Sequence, residues 1–143
     1  MKTKSIVITS LLVMVLIIGT CTAYAGELAE PIVEEDDVDY VDVNSVESRL
    51  QLSGSNAICK VKIIVFSSSN ANKVLLTVNY LKANGTSVGT KTTTVYRSNN
   101  SFTGQTTKSL SNHGTYHAKV NIKVYHDSQL IESFNVLTNN VTY

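Results

Sequence analysis

The chain has 143 residues, 43% hydrophobic, 7% aromatic and 16% charged, with one Pro, two Cys, no Trp and a formal net charge of +1. These figures exclude a multidomain protein, a disulfide-dense miniprotein and a chain that is disordered throughout.

Met1 to Ala25 opens with Lys2 and Lys4, continues through apolar residues from Ile6 to Ile18 and closes on Ala23-Tyr24-Ala25. That is the three-part layout of a secretory signal peptide over residues 1–25, cut before Gly26. The apolar run is shorter than the ~18 residues of a membrane span, which argues against a retained anchor. Cys21 near the end of that run offers lipidation as an alternative, but Thr20 before it fits a lipidation motif poorly. Cleavage leaves Cys59 as the lone cysteine of the mature chain and so precludes an internal disulfide. With no second apolar segment near the C-terminus and no Leu-Pro-X-Thr-Gly sorting signal, the expected product is secreted, extracellular or loosely held at the cell wall.

Residues 26–47 form an acidic spacer. Between Glu27 and Glu47 there are nine carboxylates and no Lys or Arg, and after it ten basic residues stand against Asp127 and Glu132, a net of +8 that the overall charge conceals. Like charges and few apolar groups predict a solvated, disordered spacer. Two other readings are a salt-sensitive lid folded onto the basic domain and a calcium loop at Asp37, Asp39 and Asp42. The loop lacks the glycine and the bidentate Glu such a site uses.

From Ser48 the pattern changes to strands. Ser48 to Leu52 is the first, and Ala57 to Phe66 places Ala57, Cys59, Val61, Ile63 and Val65 on one face and Lys60 and Lys62 on the other. Val74, Leu76, Val78 and Tyr80 repeat the alternation, and Lys82-Ala83-Asn84-Gly85 supplies a tight hairpin turn into a Thr-rich return strand from Ser87 to Tyr96. Phe102 to Leu110 is a weaker strand. Tyr116, Ala118, Val120, Ile122 and Val124 define the clearest one, with His117, Lys119, Asn121, Lys123 and Tyr125 opposite. A turn at His126-Asp127-Ser128-Gln129 leads into Leu130 to Leu137, and Val141 to Tyr143 finish the chain. About seven strands at this spacing predict an all-β, immunoglobulin-like antiparallel Greek-key sandwich over residues 48–143.

Leu110 to Ala118, with Gly114 and Tyr116 inside it, resembles the tyrosine corner of immunoglobulin-like sandwiches, in which a Tyr hydroxyl bonds back to the upstream backbone. Cys59 and Ala118 then occupy the places of the two core cysteines of antibody domains. Cys59 is expected to be a small buried hydrophobe, with a reactive thiol as the alternative.

Ser48 to Tyr143 is also similar to small secreted immunoglobulin-like β-sandwich proteins of Gram-positive bacteria, whose function is uncharacterised. The likeness rests on Arg49 to Gly54 with Ala57-Ile58-Cys59, Leu81 to Gly85, Gly114 to Val120, Glu132-Ser133 and Val141-Thr142-Tyr143, and the middle-strand Trp common in such proteins is absent. The resemblance implies export and architecture and carries over no site residue.

Catalysis has little to draw on. The sandwich holds Asp127, Glu132, His113, His117 and His126 without a Gly-X-Ser-X-Gly elbow or a His-Glu-X-X-His helix, so the reading is a non-enzyme with no catalytic, cofactor-binding or metal residues. His113 and His117 flank Gly114 and share no helical face for zinc. A Lys-to-Asn amide cross-link, as in some surface-exposed Gram-positive sandwiches, would draw on Lys60, Lys62, Lys119 or Lys123 with Asn121 or Asn140 and Glu132, but the lysines fall on the solvent parity. The favoured function is a secreted, non-catalytic binding module for an anionic cell-wall polymer, a polysaccharide or a protein. Its ligand-binding residues are unassigned, and neither nucleic acid nor, after signal cleavage, a membrane is a partner. Tyr125 and Phe66 beside Lys123 and Lys62 are a candidate aromatic and cationic face, although the simpler reading of the lysines is protection of strand edges. The alternative function is a structural surface component assembling through strand edges, and the oligomeric state is open.

Overall fold

The computed structural model describes residues 42–143. The expected signal peptide, the Cys21 alternative, the Asp37 and Asp39 part of the calcium reading and residues 26–41 of the spacer lie outside the described residues. Within them the chain runs through β1 (Val43–Ser53), β2 (Asn56–Val65), β3 (Lys73–Lys82), β4 (Ser87–Tyr96), β5 (Ser101–Ser109), β6 (Thr115–His126), β7 (Gln129–Leu137) and β8 (Val141–Thr142). None of the described residues forms a helix long and apolar enough to cross a membrane.

All pairings are antiparallel, and they build two sheets: β1-β2-β5, and β4-β3-β6-β7 with β8 continuing the pairing to β6. The chain changes sheet between β2 and β3, between β4 and β5, and between β5 and β6, which is the Greek-key path of an immunoglobulin-like sandwich. The fourth strand joins β3 in the second sheet and leaves β5 as an edge of the first.

Period-two alternation is what makes this a sandwich: each strand sends alternate side chains into one shared core and the rest to solvent. Leu50, Cys59, Val61, Ile63 and Phe102 enter from one sheet and Leu76, Tyr80, Tyr116, Ile122 and Val136 from the other, each at 2% exposure or less. Gly104 of β5 sits on the inner parity because the sheets approach closely there. A Cβ at that position would lie 2.5 Å from Leu76 Cδ1 and 2.7 Å from Val95 Cγ2. The Tyr80 hydroxyl, carried into the core, is satisfied by Thr106 Oγ1 at 2.8 Å, as a buried polar group must be.

The tyrosine corner is present. Tyr116 Oη donates to the Asn112 carbonyl at 2.6 Å, and Gly114 exchanges two backbone hydrogen bonds with Tyr143, fixing the crossing into β6. Arg97 ties the opposite end together: its guanidinium donates to the carbonyls of Ser69 and Ala71 in the β2-β3 connection and to Asn99 and Asn100 in the β4-β5 turn.

Two sequence expectations change in detail. The first strand begins at Val43, five residues inside the region assigned to the spacer. A register shift between Val43 and Ser45 against β2 breaks the alternation that would have revealed it, and Asn44, Ser45 and Glu47 read as spacer although Val43 is buried. In the loop of the β3-β4 hairpin Gly85, at φ +83°, takes the left-handed conformation, and Asn84 does not. Lys82 accepts from the Gly85 amide at 2.8 Å while its own amide reaches the Thr86 carbonyl at 2.9 Å. The connection is therefore a three-residue loop closed by a glycine bulge, with the Asn84 side chain receiving the Thr86 amide.

Candidate functional site: two cationic sheet faces

The lysines decide where the site lies, because their placement departs from the edge-protection reading. Lys60 and Lys62 are on β2, the central strand of its sheet, and Lys119 and Lys123 are on β6, which is paired on both sides by β3 and β7. No free edge exists on either strand for a lysine to guard, so the simpler reading fails on topology. The proposed face of Tyr125, Phe66, Lys123 and Lys62 is likewise divided: Lys62 lies on the outer parity of the first sheet, Lys123 and Tyr125 on the outer parity of the second, and the two outer faces point away from each other.

On the first sheet the register places Glu47 opposite Lys62 and Arg49 opposite Lys60, with Thr103 and Gln105 flanking on β5. Arg49 and Lys60 are both exposed on the outer face, two cations directly across the ladder from each other. Among the described residues no carboxylate lies within ion-pair distance of Arg49, Lys60 or Lys62. Directly opposed like charges destabilise a sheet, and the one carboxylate on this face, Glu47, is the cross-strand partner of Lys62 rather than of either member of the pair. A groove of about 550 Å³ opens here, lined by Glu47, Arg49, Gln51, Lys60, Lys62 and Thr103, with Asn139 at the β1 side.

Asn139 is held in place by β1 itself. Its side-chain Oδ1 accepts the Leu50 amide at 2.9 Å and its Nδ2 donates to the Leu50 carbonyl at 3.1 Å, while Ser48 Oγ donates to the Leu137 carbonyl at 2.9 Å. The β7-β8 connection thus stays with the second sheet, both of its strands pairing with β6, and bonds across to β1 of the first, while Thr138 supplies the hydroxyl that receives the Ala118 amide at 2.8 Å. Period-two patterning carries no sign of these bonds, which join residues 89 apart in sequence.

The second sheet presents Tyr96, Lys73 and Tyr125 in one cross-strand row, followed by Thr94, Leu75, Lys123 and Ser133 in the next. Lys73 Nζ stands 5.1 Å from the Tyr125 ring centroid. A polar row follows in which Asn121 Nδ2 donates to Asn135 Oδ1 at 3.1 Å.

The remaining candidates are dispersed. His113 stacks on Tyr143 with centroids 4.6 Å apart, whereas His117 faces outward on β6 beside Leu81. His126 Nδ1 donates to the Asn70 carbonyl at 2.7 Å and its Nε2 is 3.7 Å from Asp127 in the β6-β7 turn. Asp127, at φ +51°, is clasped by Asn72 through two bonds of 2.7 and 2.9 Å. Glu132 lies on the inner parity of β7 with Phe134 and Val136, away from the outward lysines that an amide cross-link would need. Asn121 is bound to Asn135 on the outer face and Asn140 is exposed beyond β7. Cys59 is fully buried and burial pushes its thiol up to about 12, which disfavours the reactive thiolate.

The chain matches no family model and no curated protein. Among solved structures it is similar to the β-glucuronidase of Ruminococcus gnavus, at 13% identity and a TM-score of 0.41, over 70% of this chain and 15% of that one. A β-glucuronidase from glycoside hydrolase family 2 aligns at 13% identity and a TM-score of 0.40, over 65% of this chain and 11% of that one. The chain therefore spans a small fraction of the length of the structures it matches.

Proposed function

We propose that the protein is an extracellular, non-catalytic binding module that holds an anionic wall polymer on the outer face of β1-β2-β5. One observation carries this reading: Arg49 and Lys60 oppose each other on that face, with Lys62 on the next outward position of the same central strand and no carboxylate in ion-pair range among the described residues. A polymer of repeating phosphates or carboxylates lying in the groove relieves that repulsion and gains several screened attractions at once. The groove is open and carries charged and amide side chains along its lining, which suits an extended chain better than a small molecule.

Binding of poly(glycerol phosphate), followed at low and high salt, tests the proposal. Arg49→Ser with Lys60→Ser should weaken it by about tenfold or more. Unchanged affinity in that variant, or binding insensitive to salt, would sink it. The second reading, assembly through strand edges, rests on β4, a ten-residue edge strand whose one charge is Lys91. It requires concentration-dependent oligomers that persist in high salt.

A further inference from the structure

The outer face of β4-β3-β6 is the opposite side of the molecule from the groove, and its composition is different. Tyr96 is 71% exposed on a sheet face that no other layer covers among the described residues. It is the direct cross-strand partner of Lys73, which is in turn the direct partner of Tyr125, so the three side chains form one row across three strands. Two strand spacings put the tyrosines roughly 10 Å apart, comparable with the length of a disaccharide. Lys73 is fixed between them because its ammonium rests over the Tyr125 ring, leaving the Tyr96 ring open. One outward step along the strands, Lys123 stands opposite Leu75.

No Asp or Glu occupies an outward position on these strands, and the nearest carboxylate in sequence, Asp127, is engaged by Asn72 in the turn. Around Lys73 and Lys123 the face is therefore aromatic and cationic, and β3, β4 and β6 contribute no carboxylate to it. An exposed tyrosine ring offers a flat apolar surface to the C–H face of a pyranose. A lysine beside it offers a charge at the level of the ring substituents. A sugar ring bearing a carboxylate answers both, which a bare phosphate chain does not.

We infer that this face is a second binding site, for an acidic polysaccharide, with one uronic-acid ring stacked on Tyr96 and its carboxylate held by Lys73. The site is independent of the Arg49 groove and separated from it by the full thickness of the sandwich. Charge complementarity selects the occupant: a neutral glycan would satisfy Tyr96 and bring no counter-charge to Lys73 and Lys123.

The test is a titration of the protein with tetragalacturonate, read by backbone amide shifts and by tyrosine fluorescence, which is available because the chain has seven Tyr and no Trp. Shifts should concentrate on β3, β4 and β6. Tyr96→Ala and Lys73→Gln, both outward-facing changes, should each weaken binding about tenfold, and a neutral galactose oligomer should bind at least about tenfold less well. Arg49→Ser with Lys60→Ser should leave tetragalacturonate affinity unchanged, while Tyr96→Ala should leave poly(glycerol phosphate) binding unchanged, so the two sites succeed or fail separately. The inference is overturned if tetragalacturonate does not bind, if its shifts fall on β1, β2 and β5, or if both variants bind as the parent does. It is equally overturned if Tyr96→Ala alters only self-association, which would make the occupant a second copy of the chain.

Discussion

The side-chain amide of Asn139 makes two bonds to one residue, Leu50, receiving the backbone amide and donating to the backbone carbonyl of the edge strand β1. It does there what a neighbouring strand would do, and so closes the middle of an edge that would otherwise be open to another chain. Asn139→Ala should cost about 1–2 kcal/mol, because two backbone groups lose their partners. Hydrogen exchange at the Leu50 amide should accelerate more than at other β1 amides; uniform exchange would show that Asn139 does not close the edge.

The tyrosine corner gives a second prediction. Tyr116 is buried and its hydroxyl bonds the Asn112 carbonyl, so Tyr116→Phe removes one partly buried hydrogen bond and little volume. A loss of about 1 kcal/mol in urea unfolding, with the fold retained, is expected.

Gly104 separates packing from conformation. Its backbone is not in the left-handed region, so any cost of a side chain comes from the contacts with Leu76 and Val95. Gly104→Ala should destabilise by about 1–3 kcal/mol as overpacking, and a simultaneous Leu76→Val should recover part of that loss in a double-mutant cycle.

Cys59 sets an alkaline limit. Its folded pKa of about 12 stands above the ordinary thiol value of 9.0, so the unfolded chain releases its proton first as pH rises. The contribution is present in full below pH 9 and is lost towards pH 12, at about 1.4 kcal/mol per pH unit where only the unfolded thiol is ionised. Burial also raises the pKa of Tyr80, against a smaller lowering by its bond to Thr106, and this adds to the loss above pH 10. Unfolding midpoints across this range should fall with pH, and Cys59→Ala should flatten the first part of the curve. In the native state a disulfide exchange reagent should not modify Cys59 at pH 8.

The Arg49 and Lys60 pair predicts opposite effects on stability and binding. Replacing Arg49 with Ser removes a direct like-charge contact and should stabilise the free protein by about 0.2–1 kcal/mol, while polyanion binding weakens. Loss of both would mean that the side chain is held for packing.

Alternation made the strands legible along the chain: Cys59 to Val65, Val74 to Tyr80 and Tyr116 to Val124 each state their buried face, because a pleated strand sends every second side chain to the same side. Gly85 marked the hairpin and Tyr116 the corner, since both depend on residues a few positions apart. β1 was cut short where a register shift interrupts the same rule at Val43. The sites were less legible. Parity showed that Lys60 and Lys62 face solvent, but it could not show that β2 is central, and that fact removes edge protection as their explanation. Nor could it show that Arg49 meets Lys60, or that Tyr96 and Tyr125 flank Lys73 from two other strands. Composition and period fix what each strand buries because those are local properties of the chain. Which outward side chains become neighbours is decided by strand order and register, and these follow from how two sheets close over one core.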